Sequence, residues 1–397
     1  MNDRRGRMIA RAREFAEMGR RLLRERQAAP GIVDPLLRNT ERANWGILAE
    51  LPELHTVGAL ERLGNLFAEW LTKDAAHAKA IADLAVSAAE GMPDNAYPAV
   101  VISQLRAHAW KDLGKALRFL GKNQEALDVF ALAEKSVDGG RGALAHDRAI
   151  VRFNLAMSLQ ELERFDESRS LLAESKRVFR EFGDAKNAIL CSLAEGVLLQ
   201  RLRKYREARE AYLLLLASSR DIDPESLASI HHTIGLCSIE LGDYVEAEEN
   251  FLYALKLFRD LRQPLYVMQV ELGRGRLFLR RGEPAAGISH LGLIRRDFLR
   301  QSMHEEAGIC GLEMVEGYLL LGEPEKAETV ARTIVGEFSL AGLNKRAITA
   351  VGYLSEAIAA RKAKPALVTH VREYVVSLRT SPERDFARPT FTAWAPE

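Results

Sequence analysis

The feature that most limits what this chain can become is a register that repeats. A small residue recurs at Ala126, Ser168, Ala208, Ala247, Gly287 and Ala327, at intervals of 42, 40, 39, 40 and 40 residues. Four residues after each stands Phe130, Leu172, Tyr212, Phe251, Leu291 or Ala331, bulky in all but the last. A single compact core gives no reason for such a period, whereas a chain that stacks copies of one small unit does. A turn signal precedes each small residue: Gly121-Lys122-Asn123, Glu163-Arg164-Phe165, Arg203-Lys204-Tyr205, Leu241-Gly242-Asp243, Arg281-Gly282-Glu283 and Leu321-Gly322-Glu323. Glycine in four of them suits the left-handed backbone that ends a helix. Pro284 and Pro324 fall just beyond, at first helical positions where a missing N–H does no harm.

Residues 227–258 show the unit most plainly. Two amphipathic helices meet at Leu241-Gly242-Asp243-Tyr244, Gly235 and Ala247 let the backbones approach, and Phe251 fills the space beside them. The same arrangement places Trp110, Leu113, Gly114 and Leu117 on one helix and Ala126, Phe130 and Ala133 on the next. This pattern resembles the tetratricopeptide repeat (TPR), a helix–turn–helix unit. The resemblance covers about residues 56–378, with clear repeats over about 107–345. It implies an all-α fold, a right-handed TPR α-solenoid built as a superhelix of antiparallel helix pairs. The period exceeds the family's roughly 34 residues, which lengthens each helix by most of a turn. Repeats of this length are similar to those of bacterial regulators, in which the superhelix closes around a peptide or partner protein. Weaker pairs flank the array, with Gly64, Phe67, Ala80 and Leu84 before it and residues 345–378 after it. Terminal repeats depart from a pattern because one face meets water.

Composition removes several classes of function. Lys plus Arg number 56 against 55 Asp plus Glu, a net charge of +1, so no bulk charge advertises nucleic acid or an acidic membrane. Apolar runs such as residues 212–217 are far too short to span a bilayer. The Arg-rich start lacks the apolar stretch of a secretory signal. Cys191, Cys237 and Cys310 fall on separate predicted helices and read as packing residues of a reduced protein, so a cytoplasmic location is expected.

Residues 1–55 read as an Arg-rich helical cap. In residues 1–29 nine arginines face four acids, an excess of +5, while Ile9, Ala12, Phe15, Ala16, Leu22 and Leu23 keep near-helical spacing. The plain reading is a capping helix with a solvated basic face; the alternative is an anionic partner, which would make the protein a nucleic-acid-associated regulator. Pro30-Gly31 is expected to end this helix, with short pieces broken by Pro35 and Pro52 following, and Gly91-Met92-Pro93-Asp94 marks a further break. Residues 379–397, with Pro382, Pro389 and Pro396, read as a disordered tail. Its Phe386, Phe391 and Trp394 offer a second reading, an aromatic segment that docks on the solenoid or on a partner.

No pattern for catalysis emerges. The phosphate-loop, His-Glu-x-x-His, Gly-x-Ser-x-Gly and Cys-x-x-Cys signatures are missing. Gly273-Arg274-Gly275 falls within a predicted helix, and His231 and His232 point about 100° apart on a helix, too far to share one metal. No catalytic residue, metal or cofactor is therefore expected.

The resemblance implies instead a binding groove lined by the first helix of each unit. Carried onto this register it offers His108, Lys111, Lys115, Arg118 and Phe119, then Phe153, Asn154 and Met157. Next come Leu190, Leu193 and Val197, then His232 and Leu236, then Arg276. The family's carboxylate clamp for chaperone tails is half present: Lys111 and Asn154 match, while Lys115, Leu190 and Ala194 depart from it. The set reads as a basic mouth opening onto an apolar middle, suited to an amphipathic helix or an extended peptide with an acidic end. The protein would then be a noncatalytic interaction module with a regulatory or assembly role in bacteria. Two other readings stand beside it: the protein's own helices fill the groove, or the chain self-associates as a scaffold through its cap faces.

Overall fold

The computed structural model describes residues 2–71, 73–138, 142, 144–218, 222–378, 381 and 384–389, without the side chains of residues 2–12 and 218. Among these residues every regular element is helical. A long helix α1 (Asn2–Asn39) leads to a short α2 (Trp45–Leu48), flanked by 3-10 turns at Arg42–Asn44 and Pro52–Leu54. Helix pairs follow: α3 (Val57–Trp70) with α4 (Ala75–Glu90), α5 (Ala99–Phe119) with α6 (Asn123–Val137), and α7 (Ala145–Glu161) with α8 (Phe165–Glu181). Then come α9 (Ala185–Arg201) with α10 (Tyr205–Ser218), α11 (Pro224–Leu241) with α12 (Tyr244–Asp260), and α13 (Pro264–Arg280) with α14 (Pro284–Arg300). Last are α15 (His304–Leu320) with α16 (Pro324–Leu340), and α17 (Lys345–Ala359) with α18 (Pro365–Ser377). The second helices of the six clear repeats start at Asn123, Phe165, Tyr205, Tyr244, Pro284 and Pro324, the spacing read from the sequence.

The repeat is held by one steric rule. A Cβ on Gly235 of α11 would lie 2.6 Å from the Phe251 ring of α12, so only glycine lets the bulky residue seat against the helix backbone. Gly114 with Phe130, Gly196 with Tyr212 and Gly275 with Leu291 repeat the contact, each pair sixteen residues apart. The turns within the six clear repeats all use positive φ, including Glu163 at 59° and Arg203 at 56°, which take by side-chain tolerance what Gly242 takes freely at 81°.

The chain divides into two compact units, Met1–Ala188 and Ile189–Glu397, with the boundary inside α9. In the first unit α3, α5 and α7 touch in sequence as a layer of first helices, and a continuous core runs from Val33 of α1 to Phe130 of α6. In the second unit α11, α13 and α15 form the corresponding layer.

Two elements depart from the sequence expectation. Helix α1 does not end at Pro30-Gly31; it continues to Asn39 with Pro30 and Pro35 inside it. Tertiary packing offsets the hydrogen bonds that the two prolines cannot make. Ala29 and Val33 are buried, Arg26 makes a two-pronged pair with Glu61 at 2.6 Å, and Arg62 makes another with Asp34 at 2.8 Å. Helix α18 packs on α15 and α17, joining the layer of first helices instead of continuing the layer of second helices beside α16.

Candidate partner-binding face

In the first unit, α5 carries His108, Lys111, Lys115 and Arg118 at spacings of three, four and three residues, which put them on one helical face. Three of them line a cavity of about 400 Å³ walled by α3, α4 and α5, whose apolar surface includes Leu60, Phe67, Ala68 and Leu105. Glu61 and Asp112 line it as well, so the mouth is not purely basic.

The four basic side chains are not equivalent. His108 Nε2 lies 2.9 Å from Asp147 Oδ1, and Gln104 donates to the other oxygen at 2.9 Å. Burial opposes ionisation of Asp147, but these two hydrogen bonds outweigh it and hold the carboxyl below its usual range. Lys111 sits 3.1 Å from Asp112. Lys115 has no carboxylate in contact; its ammonium lies 5.8 Å from the centre of the Phe67 ring, and burial, then the charge of Lys111, pushes its pKa down. Arg118 stacks 5.2 Å from the Phe119 ring, is likewise pulled down by burial, and keeps a buried Nε with no acceptor. Lys115 and Arg118 are thus two partly desolvated cations on one face with no carboxylate in contact, while the more distant charges of Asp112 and Glu161 offset only part of the cost of burial.

The remaining groove positions divide. On α7, Phe153 and Met157 are half-buried, while Asn154 is buried and spends its amide on the Ile150 carbonyl at 2.8 Å. In the second unit Leu193 packs with Ile189, Tyr212 and Ile234, beside half-buried Leu190 and Val197, and Leu236 packs with Phe251 and Leu277. His232 lies 6.0 Å from Phe251, its buried Nε2 has no hydrogen-bond partner, and burial, helped by Arg276, lowers its pKa to about 4.

Arg276 is engaged. Its Nε donates to Glu313 at 2.7 Å, and Arg280 pairs with Glu316, joining α13 to α15. Arg372 of α18 completes this group, 2.7 Å from Glu313 and donating to Glu316 at 3.0 Å. Glu313 is fully buried; burial alone would raise its pKa, and the Arg276 and Arg372 charges more than reverse that. A second pair, Arg203 with Glu373 at 2.7 Å, ties α18 to the turn after α9. At this end of the second unit, then, a helix of the chain itself covers the first-helix face. The covering element is α18, the second helix of the degenerate pair over residues 345–378; the glutamates three residues apart on α15 and the arginines four apart on α13 are the signal of it in the sequence.

The tail adds a small lock. Phe386 packs against Tyr353, His370 and Tyr374, and Tyr374 donates to the Arg384 carbonyl at 2.7 Å. Phe391 and Trp394 lie outside the described residues. In α1, Arg21 and Arg26 are bound to Glu25 and Glu61, which leaves less of the basic face free for an anion. Among the described residues no group of three His, Cys, Asp or Glu could hold a metal, and no helix is long and apolar enough to cross a membrane.

These repeats define the class of fold: an all-α solenoid of antiparallel helix pairs of the tetratricopeptide-repeat type. Residues 147–221 match the tetratricopeptide repeat family. A signal-transduction ATPase with numerous domains and a tetratricopeptide repeat sensor, from Pyrococcus horikoshii, is similar at 16% identity and a TM-score of 0.57; it covers 90% of this chain, which spans 53% of that protein's chain. The apo form of RapI covers 70% of this chain and is itself covered over 99%, at 14% identity and a TM-score of 0.53. The Rap conjugation gene regulator of plasmid pLS20, in complex with the Phr* peptide, covers 81% of this chain and is covered over 96%, at 14% identity and a TM-score of 0.50. At such identities the likeness is one of fold. Comparison with curated proteins gives no match.

Proposed function

We propose that this protein is a noncatalytic interaction module of a bacterial cytoplasm, regulatory or assembling in role, that binds a peptide or helix of a partner protein on the first-helix face of its first unit. The observation that carries the reading is the pair of partly buried cations, Lys115 and Arg118, beside an apolar cavity and without a carboxylate in contact. A partner segment with an acidic end supplies the missing anion, and its apolar side chains meet Leu60, Phe67, Phe153 and Met157. The complex of the pLS20 Rap regulator with its peptide supports the reading by analogy of fold. His108 and Lys111 already have carboxylate neighbours, so they steer direction more than they add affinity.

The test is capture of partners from native extract by wild type and by a Lys111→Glu/Lys115→Glu/Phe153→Asp variant of matched helicity and melting temperature. A protein retained by wild type is expected to bind the variant at least about tenfold more weakly, the scale of losing a close charge pair across an interface. Equal retention by both would remove this face from consideration.

A further inference from the structure

The opposite layer of the second unit carries a feature that peptide binding leaves unused. At the position six residues after the small residue that opens each second helix stand Leu214 of α10, Tyr253 of α12 and Leu293 of α14. Their exposures are 69%, 45% and 52%, and Leu213 and Leu252, one residue earlier, are also exposed. Arg209 of α10 meets Glu246 of α12 at 2.8 Å, and α12 and α14 both pack on α13, so the three helices lie side by side. The result is a row of large apolar side chains across three helices. The same position is Thr333 in α16, where the row stops. Large exposed apolar side chains that recur at one position on neighbouring helices mark a candidate interaction surface.

Charge along the edges of the row says which partner. One turn toward the helix N-termini lie Glu210 and Glu249; about one turn the other way lie Lys256 and Arg296, and all four are exposed. No side chain of these four has a hydrogen bond or ion pair with any described residue, in a unit where Arg209, Arg259, Arg274, Arg276 and Arg295 all have acidic partners. The row is therefore acidic along one side and basic along the other.

We propose that this face binds the same face of a second copy of the chain. A two-fold axis parallel to the row turns the helices antiparallel and sets each helix opposite its own copy, so Glu249 of each α12 meets Lys256 of the other, with the leucines and tyrosines meeting between them. This is the isologous arrangement that closed dimers use. A two-fold axis across the row sets glutamate against glutamate and is disfavoured. Three helices at roughly 10 Å spacing span about 20–30 Å, the width that a standard interface of about 800 Å² per partner needs.

The experiment is sedimentation velocity of the full chain over a wide concentration range, with folding checked by circular dichroism. Wild type is expected to shift from monomer to dimer as concentration rises, and Leu214→Asp/Leu293→Asp to stay monomeric. Glu210→Lys/Glu249→Lys and Lys256→Glu/Arg296→Glu are each expected to stay monomeric alone and to form a mixed dimer when combined, because one edge pattern is then wholly basic and the other wholly acidic. A wild type that stays monomeric throughout, with or without another protein captured on this face, overturns the proposal. So does a dimer that survives the two aspartates, or charge variants that fail to restore each other.

Discussion

His232 shows how much one side chain can reveal of its surroundings. It is neutral in the folded protein because burial and the neighbouring Arg276 both disfavour its charged form, and its pKa falls from 6.5 to about 4. In the unfolded chain it titrates near its ordinary value. As pH falls from about 6.5 to about 4, the unfolded state therefore takes up a proton that the folded state refuses, and stability drops through that window. Fully expressed, the difference is about 3 kcal/mol. Urea midpoints compared at about pH 7.5 and pH 5 should fall less for His232→Gln than for wild type; identical pH dependence would mean that the imidazole is not the responsible group. The residue-level pattern was partly legible in the sequence. Gly235 and Phe251 announced their contact by type and spacing. The state of His232 was not legible, because a histidine at a groove position looks the same whether it faces water or lies against an arginine.

Elements were legible where the repeat spoke and illegible where tertiary contact overruled it. Pro30-Gly31 is a strong local stop signal, yet α1 passes through it because Ala29 and Val33 are buried and Asp34 is held by Arg62. Helix α18 lacks the signature residues that locate a helix within the stack, so its place on α15 depends on Arg372 finding two buried glutamates. That dependence can be measured. Arg372→Met should destabilise the protein by roughly 1–3 kcal/mol, the scale of leaving buried polar groups short of a partner. It should cost less than the ~3–5 kcal/mol of breaking an isolated buried pair, because Arg276 and Arg280 still face Glu313 and Glu316. Chemical denaturation monitored by circular dichroism gives the number, and a change near zero would show that apolar packing alone seats α18.

At the scale of the whole molecule, a repeat array distributes its stability unevenly, since each unit is supported mainly by its neighbours. In the second unit α15 is buried from Ala307 through Glu313 without interruption, covered by α13, α14, α16 and α18. Its amides are expected to exchange most slowly there, and those of the turn residues at Arg262 and Ser302 fastest, as hydrogen exchange by mass spectrometry would resolve. Protection of α15 no greater than that of α12 would contradict the idea that α18 acts as a third layer. The seat of α18 also bears on how an array like this can change length. Inserting another helix pair upstream of α13 preserves both the stacking rule and the seat of α18 on α15, because each newcomer meets the surface that its neighbours already offer. Beyond α17 the rule fails: the helix that should have presented the next stacking surface has turned inward onto α15. Tandem duplication can therefore lengthen this array from within, but not by adding copies after its last helix.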